Sequence, residues 1–356
     1  MPYESGAGVS VRTVLVCAVQ VPLVRGGAEV LVEDLVAQLR ARGYDSELVS
    51  LPFKWYPKEE LFAHAAAWRC LDLSEANGRR IDRVIATKFP SYFVRHPEKS
   101  LWLVHQHRAA YDLCGTPHCS EFDWTELDVA TRERLVALDR RMIGEARRAY
   151  TIGAVPTARL AKYNGLTAPP LHPPPRLADR LHPGPSGDYF LSVGRLETIK
   201  RVDLAIRALA RSQARADLVI VGEGTQREAL ARVAEEAGVA DRVRFAGRVR
   251  DEELVDLYAG CRAVVFAPFD EDYGYVTLEA FLSGKPVITA GDSGGTLEFV
   301  VDGVNGRVCE PTPESLAQAM ADLAAGTARA AALGAAGLER GRTVTWDGVL
   351  EKLLGE

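Results

Sequence analysis

The sequence predicts an α/β protein made of two doubly wound domains, each with a parallel sheet covered by helices. Short apolar runs alternate along the chain with amphipathic stretches, which is the pattern of repeated parallel strand–helix units. A stretch rich in proline and glycine over residues 168–187 interrupts this alternation and indicates a stiff linker. A chain of 356 residues with 47% hydrophobic content is long enough for two well-filled cores.

The first domain is assigned to residues 1–172 and contains five apolar runs that we predict to be strands. They cover residues 11–19, 45–51, 81–87, 101–104 and 150–153. Helices are predicted over residues 28–42, where Gly43 follows as a stop signal, and over residues 156–163. The strands and helices alternate as a Rossmann-like domain requires.

The second domain is assigned to residues 186–339 and repeats this pattern. Strands are predicted over residues 189–193, 218–221, 243–245, 263–266 and 286–289, with helices over 202–209 and 275–283. The tail, residues 340–356, carries Trp346 and an apolar helical face, so we expect it to pack back on the first domain. Open α/β sheets bind ligands outside the carboxyl ends of their strands, which predicts a site in a central cleft that the two domains face.

Composition excludes several functional classes. The net charge of -5 and a pI near 5.9 give no basic field for nucleic acid. Six scattered cysteines suggest reduced thiols in a cytoplasmic protein. Cys114, His118 and Cys119 are poorly spaced for zinc and no second pair follows, so no metal site is predicted. We find neither a signal-peptide pattern nor an apolar run of the ~20 residues that span a membrane.

One segment leaves membrane contact open. Residues 53–58 mix aromatic and basic side chains, as an interfacial anchor does. The sequence favours a loop packed on its own domain, with peripheral contact at the inner membrane face as the alternative.

The most informative segment is residues 270–280, in which Glu271 and Glu279 stand eight positions apart. A buried strand ends before Glu271, and a helix is predicted to begin at Tyr275, so the amides of Gly274 to Val276 can donate to an anion. Amide donors between two carboxylates suit a nucleotide sugar, with phosphates on the amides and hydroxyl pairs on the carboxylates. Acidic residues also occur near helix N-termini because the dipole favours them, so simple capping is the alternative.

Two cations and a set of glycines follow other strand ends. Arg195 comes directly after Gly194 at the end of a strand, and Lys200 lies near the start of the next helix. At the carboxyl edge of a sheet, both can neutralise a diphosphate and stabilise a leaving nucleoside diphosphate. A solvated pair of surface charges is the alternative interpretation.

The glycine-rich turns are at residues 26–27, 222–224 and 294–295, and none has the complete spacing of a dinucleotide fingerprint. That counts against a nicotinamide dehydrogenase, although such turns still let backbone approach a phosphate or sugar. In the first domain, His107 follows a predicted strand and is expected at its carboxyl end. A structural histidine that pairs with a backbone carbonyl is the alternative.

Together these motifs resemble glycosyltransferase family 4, the retaining glycosyltransferases of the GT-B fold. The motifs that carry the resemblance are residues 26–29 (Gly-Gly-Ala-Glu), His107, Gly194-Arg195 with Lys200, Gly222-Glu-Gly224, the Glu271/Glu279 pair, and Gly294-Gly295 with Glu298. The resemblance covers nearly the whole chain and is most specific over residues 188–310. It implies an N-terminal acceptor domain and a C-terminal donor domain.

The resemblance also implies the role of each residue. Glu279 would hold the donor ribose, and Glu271 the donor sugar. Arg195 and Lys200 would clamp the diphosphate, and His107 would touch the donor sugar at the reaction centre. The remaining donor-binding residues implied by the family are Gly26, Gly27, Gly194, Gly222, Gly274, Tyr275 and Val276.

The resemblance therefore predicts a hexosyltransferase that moves a sugar from a UDP- or GDP-sugar to an acceptor hydroxyl with retention. It implies no metal cofactor, and an acceptor such as a saccharide or lipid-linked saccharide of a surface polysaccharide. Two alternatives stay open at this point: a sugar-nucleotide epimerase of the same fold, and a non-catalytic sugar-nucleotide-binding protein.

Overall fold

The computed structural model describes residues 11–23, 25–116 and 121–355, and within them the chain forms two compact α/β units. The strands are β1 Thr13–Gln20, β2 Asp45–Pro52, β3 Glu75–Ala76, β4 Arg79–Arg80, β5 Arg83–Ala86, β6 Lys99–Leu103, β7 Arg148–Thr151, β8 Tyr189–Val193, β9 Asp217–Val221, β10 Val243–Gly247, β11 Ala263–Val265, β12 Val287–Ala290 and β13 Gly306–Cys309. The helices are α1 Gly27–Ala41, α2 Glu60–Cys70, α3 Glu126–Gly144, α4 Ala154–Asn164, α5 Val202–Arg211, α6 Arg227–Glu236, α7 Asp251–Gly260, α8 Tyr275–Leu282, α9 Pro313–Ala325, α10 Thr327–Gly341 and α11 Trp346–Leu354.

The first unit comprises residues 1–173 and 346–356. Its sheet has the strand order β2-β1-β5-β6-β7, and all its pairings are parallel. β2 and β5 lie on opposite sides of β1, so the strand order reverses between β1 and β5. The core contains fully buried side chains from three strands, including Cys17, Val84 and Leu101.

The second unit comprises residues 174–345, and its sheet has the order β10-β9-β8-β11-β12-β13. All pairings are again parallel. The order reverses between β8 and β11, and this is the place where doubly wound sheets bind ligands. Phe190, Ile220 and Ile288 are among the buried residues that fill its core.

The tail returns to the first unit at Trp346, not at residue 340 as the sequence suggested. Residues 340–345 belong to the second unit because α10, which runs to Gly341, packs on α8. The Trp346 ring meets that of Trp102 edge-on with centroids 6.1 Å apart. Ser100 Oγ donates a hydrogen bond of 2.8 Å to the carbonyl of Leu353, which fixes α11 on β6.

The proline-rich stretch predicted as a separate linker belongs largely to the second unit, which begins at Pro174. Arg176 makes a bidentate ion pair with Asp251 at the start of α7, with N–O distances of 2.7 and 2.5 Å. Arg180 pairs with the neighbouring Glu252 at 2.8 Å. These ion pairs explain why the stretch lies on the second unit.

Candidate functional site

The loop that follows β11 carries the first of the two glutamates and holds it against Lys200. The ammonium of Lys200 donates to Glu271 Oε2, and the exposed fractions of these two side chains are only 16% and 20%. Lys200 also lies over the Phe266 ring, 5.9 Å from its centroid. The sequence predicted both charged residues at this edge of the sheet but not that they pair with each other.

Helix α8 begins immediately after this loop, and no side chain caps it because its N-cap residue is Gly274. Gly274 has φ of +77°, and a Cβ there would lie 2.9 Å from Phe266 and 3.5 Å from Glu271 Cγ. A glycine is therefore required for both conformation and space. The result is a helix N-terminus directly beside the Lys200–Glu271 pair, as an anion site needs.

The glycine pair after β12 supports the Glu271 loop from behind. Gly295 donates its amide hydrogen to the Glu271 carbonyl at 2.7 Å. A Cβ on Gly294 would lie 2.5 Å from that carbonyl oxygen, and one on Gly295 would lie 2.6 Å from the carbonyl oxygen of Asp272. These two glycines let backbone pack on backbone, and that packing positions Glu271.

Arg201 fixes the backbone beside Lys200. It has a left-handed conformation with φ of +49°, and its guanidinium makes a bidentate pair with Asp292 at 2.8 and 2.6 Å. It also donates to the carbonyls of Ala267 at 2.9 Å and Pro268 at 2.7 Å. Arg201 thus ties the start of α5 to the loops that follow β11 and β12.

The second glutamate, Glu279, lies on the second turn of α8 and is partly exposed. Tyr258 Oη donates to Glu279 Oε2 at 2.6 Å, and the tyrosine itself is fully buried in α7. Burial raises the pKa of Glu279, and the Tyr258 hydrogen bond and the Arg176 charge oppose that rise. Sequence analysis missed Tyr258, since its spacing from Val255 and Ala259 predicts only a core face.

Arg195 is exposed directly after β8, and its guanidinium forms no ion pair with any residue that the structure describes. Gly194 before it has φ of +152° and open space where a Cβ would lie. Gly222 has a different role, because a Cβ on it would lie 1.9 Å from the Gly194 carbonyl oxygen. Gly222 therefore supports Gly194, and the predicted contact between Gly222 and the donor stays a prediction.

In the first unit, Gly26 is the N-cap residue of α1 and Gly27 is the first residue of that helix. Glu29 Oε2 accepts a 2.9 Å hydrogen bond from the Gly26 amide, and Glu29 Oε1 accepts one of 2.6 Å from the buried Lys88. Burial disfavours ionisation of Glu29, but Lys88 and these hydrogen bonds lower its pKa overall. Lys88, which sequence analysis missed, thus links the end of β5 to the glycine turn.

His107 is more enclosed than expected, with 10% of its side chain exposed. Its ring lies among those of Phe53, Phe89 and Phe122, at centroid distances of 6.4, 5.9 and 6.1 Å. Its Nε2 lies 3.3 Å from Glu121 Oε2, a distance that allows an ion pair when the ring is protonated, but the two atoms make no hydrogen bond in this geometry. Its predicted contact with a donor sugar stays a prediction.

The chain is similar in sequence to known glycosyltransferases. A family model described as glycosyl transferases group 1 matches residues 180–340, which hold the site of the second unit. The chain is 30% identical over 360 residues to a GDP-mannose-dependent alpha-(1-6)-phosphatidylinositol monomannoside mannosyltransferase from Mycolicibacterium smegmatis. That alignment covers 88% of this chain and 89% of the relative.

The chain belongs to glycosyltransferase family 4.

Solved structures place this glycosyltransferase in the GT-B fold. Sucrose-phosphate synthase from Thermosynechococcus elongatus superposes with a TM-score of 0.74 at 18% identity, covering 97% of each chain. Anabaena Alr3699/HepE, solved with UDP and glucose, gives a TM-score of 0.67 at 17% identity and covers 94% of this chain and 95% of its own. The predicted fold and the prediction of a hexosyltransferase that uses a nucleotide sugar are confirmed. The epimerase and the non-catalytic binding protein are not favoured.

The structure also describes one residue of the cysteine and histidine group for which the sequence predicts no metal site. Cys114 is buried, and its thiol donates a weak hydrogen bond of 3.8 Å to the carbonyl of Phe122, whereas His118 and Cys119 lie outside the described residues. Over residues 11–23, 25–116 and 121–355 of this glycosyltransferase, no three histidine, cysteine or acidic side chains are grouped as metal ligands. Within the same ranges, no helix is both long enough and apolar enough to cross a membrane.

Proposed function

We propose that the enzyme transfers mannose from GDP-mannose to the hydroxyl of a saccharide or lipid-linked saccharide, with retention and without a metal ion. The observation that carries this proposal is the Lys200–Glu271 pair at the uncapped N-terminus of α8, with Glu279 one turn further on. The name of the mycobacterial relative favours GDP-mannose over a UDP-sugar. The site residues themselves do not choose the base.

The donor would bind across this edge of the second sheet. The diphosphate would lie against Arg195, Lys200 and the first amides of α8, since cations and a helix N-terminus both favour negative charge there. Glu279 would accept hydrogen bonds from the ribose hydroxyls. Glu271, in the loop just before α8, would accept from hydroxyls of the donor sugar.

The chemistry would proceed on one face of the sugar. The bond between the anomeric carbon and the β-phosphate oxygen breaks, and the acceptor oxygen bonds to that carbon from the same side. The acceptor's proton passes to the leaving phosphate oxygen. Arg195 and Lys200 stabilise the negative charge that develops on that phosphate.

Retention in glycosidases uses a carboxylate nucleophile, which would be Glu271 here. Its ion pair with Lys200 supports a binding role instead, because the ammonium stabilises the carboxylate charge and so lowers the nucleophilicity of Glu271. The same cations can supply the charge neutralisation that a metal ion gives in other transferases. An NMR assay of the anomeric product, run in a chelating buffer, tests both points. An inverted product or a lost activity would contradict retention or metal independence, respectively.

A thermal-shift panel with GDP, UDP, ADP and dTDP tests the donor site. We expect GDP to raise the melting temperature of the wild type and Glu279→Ala to lose that response. A ligand at a hundred times its Kd stabilises the folded state by about 2.7 kcal/mol. Glu314→Ala, an exposed acidic residue on α9, is the matched control and should respond like the wild type. A wild type that none of the four nucleotides stabilises would contradict a nucleotide-sugar donor.

Peripheral contact with a membrane is the remaining part of the proposal. In the first unit, Tyr56, Trp124 and Leu127 expose 57%, 66% and 65% of their surface. The Arg132 guanidinium lies 4.9 Å from the centre of the Trp124 ring. An exposed aromatic side chain beside a cation suits the interface of a bilayer. Co-sedimentation with anionic phospholipid vesicles tests this contact, and protein left wholly in the supernatant would contradict it.

A further inference from the structure

We infer that Tyr258 is a positioning residue for the nucleotide, because its hydroxyl holds the Glu279 carboxylate in the orientation that receives the ribose hydroxyls. This inference rests on the proposed function and adds a residue to it. Tyr258 would touch no substrate atom and would act only through Glu279.

The geometry gives Tyr258 a specific hold on one oxygen of the carboxylate. Its side chain is fully buried in α7, and its hydroxyl donates to Glu279 Oε2 at 2.6 Å. A carboxylate accepts at two oxygens, each with two lone pairs. The hydrogen bond to Oε2 restrains rotation of the carboxylate and leaves its other lone pairs available to a ligand, since the side chain is partly exposed.

A fixed carboxylate matters for a diol ligand. Two neighbouring ribose hydroxyls are bound together only when the carboxylate plane matches theirs. A glutamate side chain that moves freely in solvent would lose rotational freedom about several bonds on binding, and this loss costs affinity. Tyr258 removes that freedom before the nucleotide arrives.

Helix α7 also affects the charge of Glu279. Asp251 lies seven residues before Tyr258, two turns along the same helix face, and holds Arg176 at 2.7 and 2.5 Å. Burial raises the pKa of Glu279, whereas the Tyr258 hydrogen bond and the Arg176 charge lower it. The helix therefore favours the ionised acceptor form that hydroxyl donors need.

Tyr189, in β8, provides a matched control because its hydroxyl also hydrogen-bonds to α7. Its hydroxyl donates a 2.8 Å hydrogen bond to the Leu257 carbonyl in α7, and not to the Glu279 carboxylate. Tyr189→Phe therefore removes one tyrosine hydrogen bond from α7 without releasing Glu279. Any general loosening of the helix should appear in both variants.

The experiment is calorimetric titration of GDP and UDP, at up to millimolar nucleotide, into wild type, Tyr258→Phe, Tyr189→Phe, Glu279→Ala and the Tyr258→Phe/Glu279→Ala double variant. We expect Tyr258→Phe to weaken binding about tenfold, as for a lost hydrogen bond to a charged group. The titrations are repeated between about pH 5 and pH 8. Because the Tyr258 hydrogen bond lowers the pKa of Glu279, the affinity of Tyr258→Phe should begin to fall at a higher pH than that of the wild type as the solution is acidified. Tyr189→Phe should leave both the affinity and this pH profile unchanged.

The double variant decides whether Tyr258 acts through Glu279. In the Glu279→Ala background, where Tyr258 has neither a carboxylate nor an amide to hold, Tyr258→Phe should cost none of the residual affinity. An added loss there, an unmoved pH profile, or equal effects of the two tyrosine variants would overturn the inference while leaving the donor site intact. A wild type that binds neither nucleotide would instead overturn the proposed function, and this inference with it.

Discussion

Replacing Lys200 with alanine is expected to reduce kcat by two to three orders of magnitude, on the scale of ~10²–10³ for one lost group that stabilises transition-state charge. Lys200 is the enclosed cation at the N-terminus of α8, and it lies over the Phe266 ring at 5.9 Å. A partly buried charge acts more strongly on a developing phosphate charge than one in water. The measurement is steady-state kinetics with the nucleotide sugar varied at saturating acceptor.

The size of this effect depends on how firmly Lys200 is placed before the reaction. Arg201 holds the neighbouring backbone through Asp292 and the carbonyls of Ala267 and Pro268. A preorganised cation does not reorganise as the bond breaks, so its full effect appears in kcat. Lys200→Arg keeps the charge but changes its shape, so we expect intermediate activity.

Two controls separate catalysis from folding. Lys200→Ala leaves Glu271 without its cation, so Lys200→Ala/Glu271→Gln removes the unpaired charge and tests whether that charge causes the loss. Exposed Lys352, on α11, provides the matched lysine variant, Lys352→Ala, which should keep wild-type kcat. A Lys200→Ala enzyme that folds and retains the wild-type kcat would remove Lys200 from the mechanism.

The sequence was sufficient to predict the strands around the site because each is a short apolar run between glycines, prolines or charges. The run at Ala263, the glycine at position 274 and Gly284 at the end of α8 are all local signals. Helix α2 was not predicted, since its buried residues, Leu61, Ala65 and Trp68, are mixed with other apolar side chains and leave little polar contrast.

The partners of the site residues could not be predicted in the same way. Tyr258 reaches Glu279 across 21 positions, and Arg201 reaches Asp292 across 91. Such pairs depend on which strands are neighbours in the sheet and on how the helices pack, and no local pattern encodes either. The roles of Gly294 and Gly295 depend likewise on a close approach to the Glu271 loop, visible only once the backbone is in place.

A second large effect is expected away from the site, at Asp139 in α3. This carboxyl is fully buried, and its Oδ2 accepts a 2.6 Å hydrogen bond from Tyr111 Oη. Tyr111 accepts in turn from Asn164 Nδ2 at 3.2 Å, and Gln106 donates to Asn164 at 3.1 Å. Burial raises the pKa of Asp139 from 3.8 to about 7, although the Tyr111 hydrogen bond opposes that rise.

The sign of the pH dependence follows from this raised pKa. Between pH 3.8 and about 7, the folded state binds the Asp139 proton and the unfolded state does not. Stability therefore falls as pH rises through this window, because rising pH favours the state that binds fewer protons. The contribution is fully present below pH 3.8 and is lost above about pH 7. A rise of roughly three pKa units corresponds to about 4 kcal/mol.

Asp139→Asn isolates this contribution, since an amide keeps the acceptor for Tyr111 but does not titrate. All five tryptophans, Trp55, Trp68, Trp102, Trp124 and Trp346, lie in the first unit, so their fluorescence during urea unfolding follows that unit alone. We expect the variant's advantage in unfolding free energy to grow from the acid side toward neutral pH by about 4 kcal/mol. Other carboxyls titrate equally in both proteins and cancel in the difference, so a difference that stays constant with pH would mean that Asp139 does not hold its proton in the folded state.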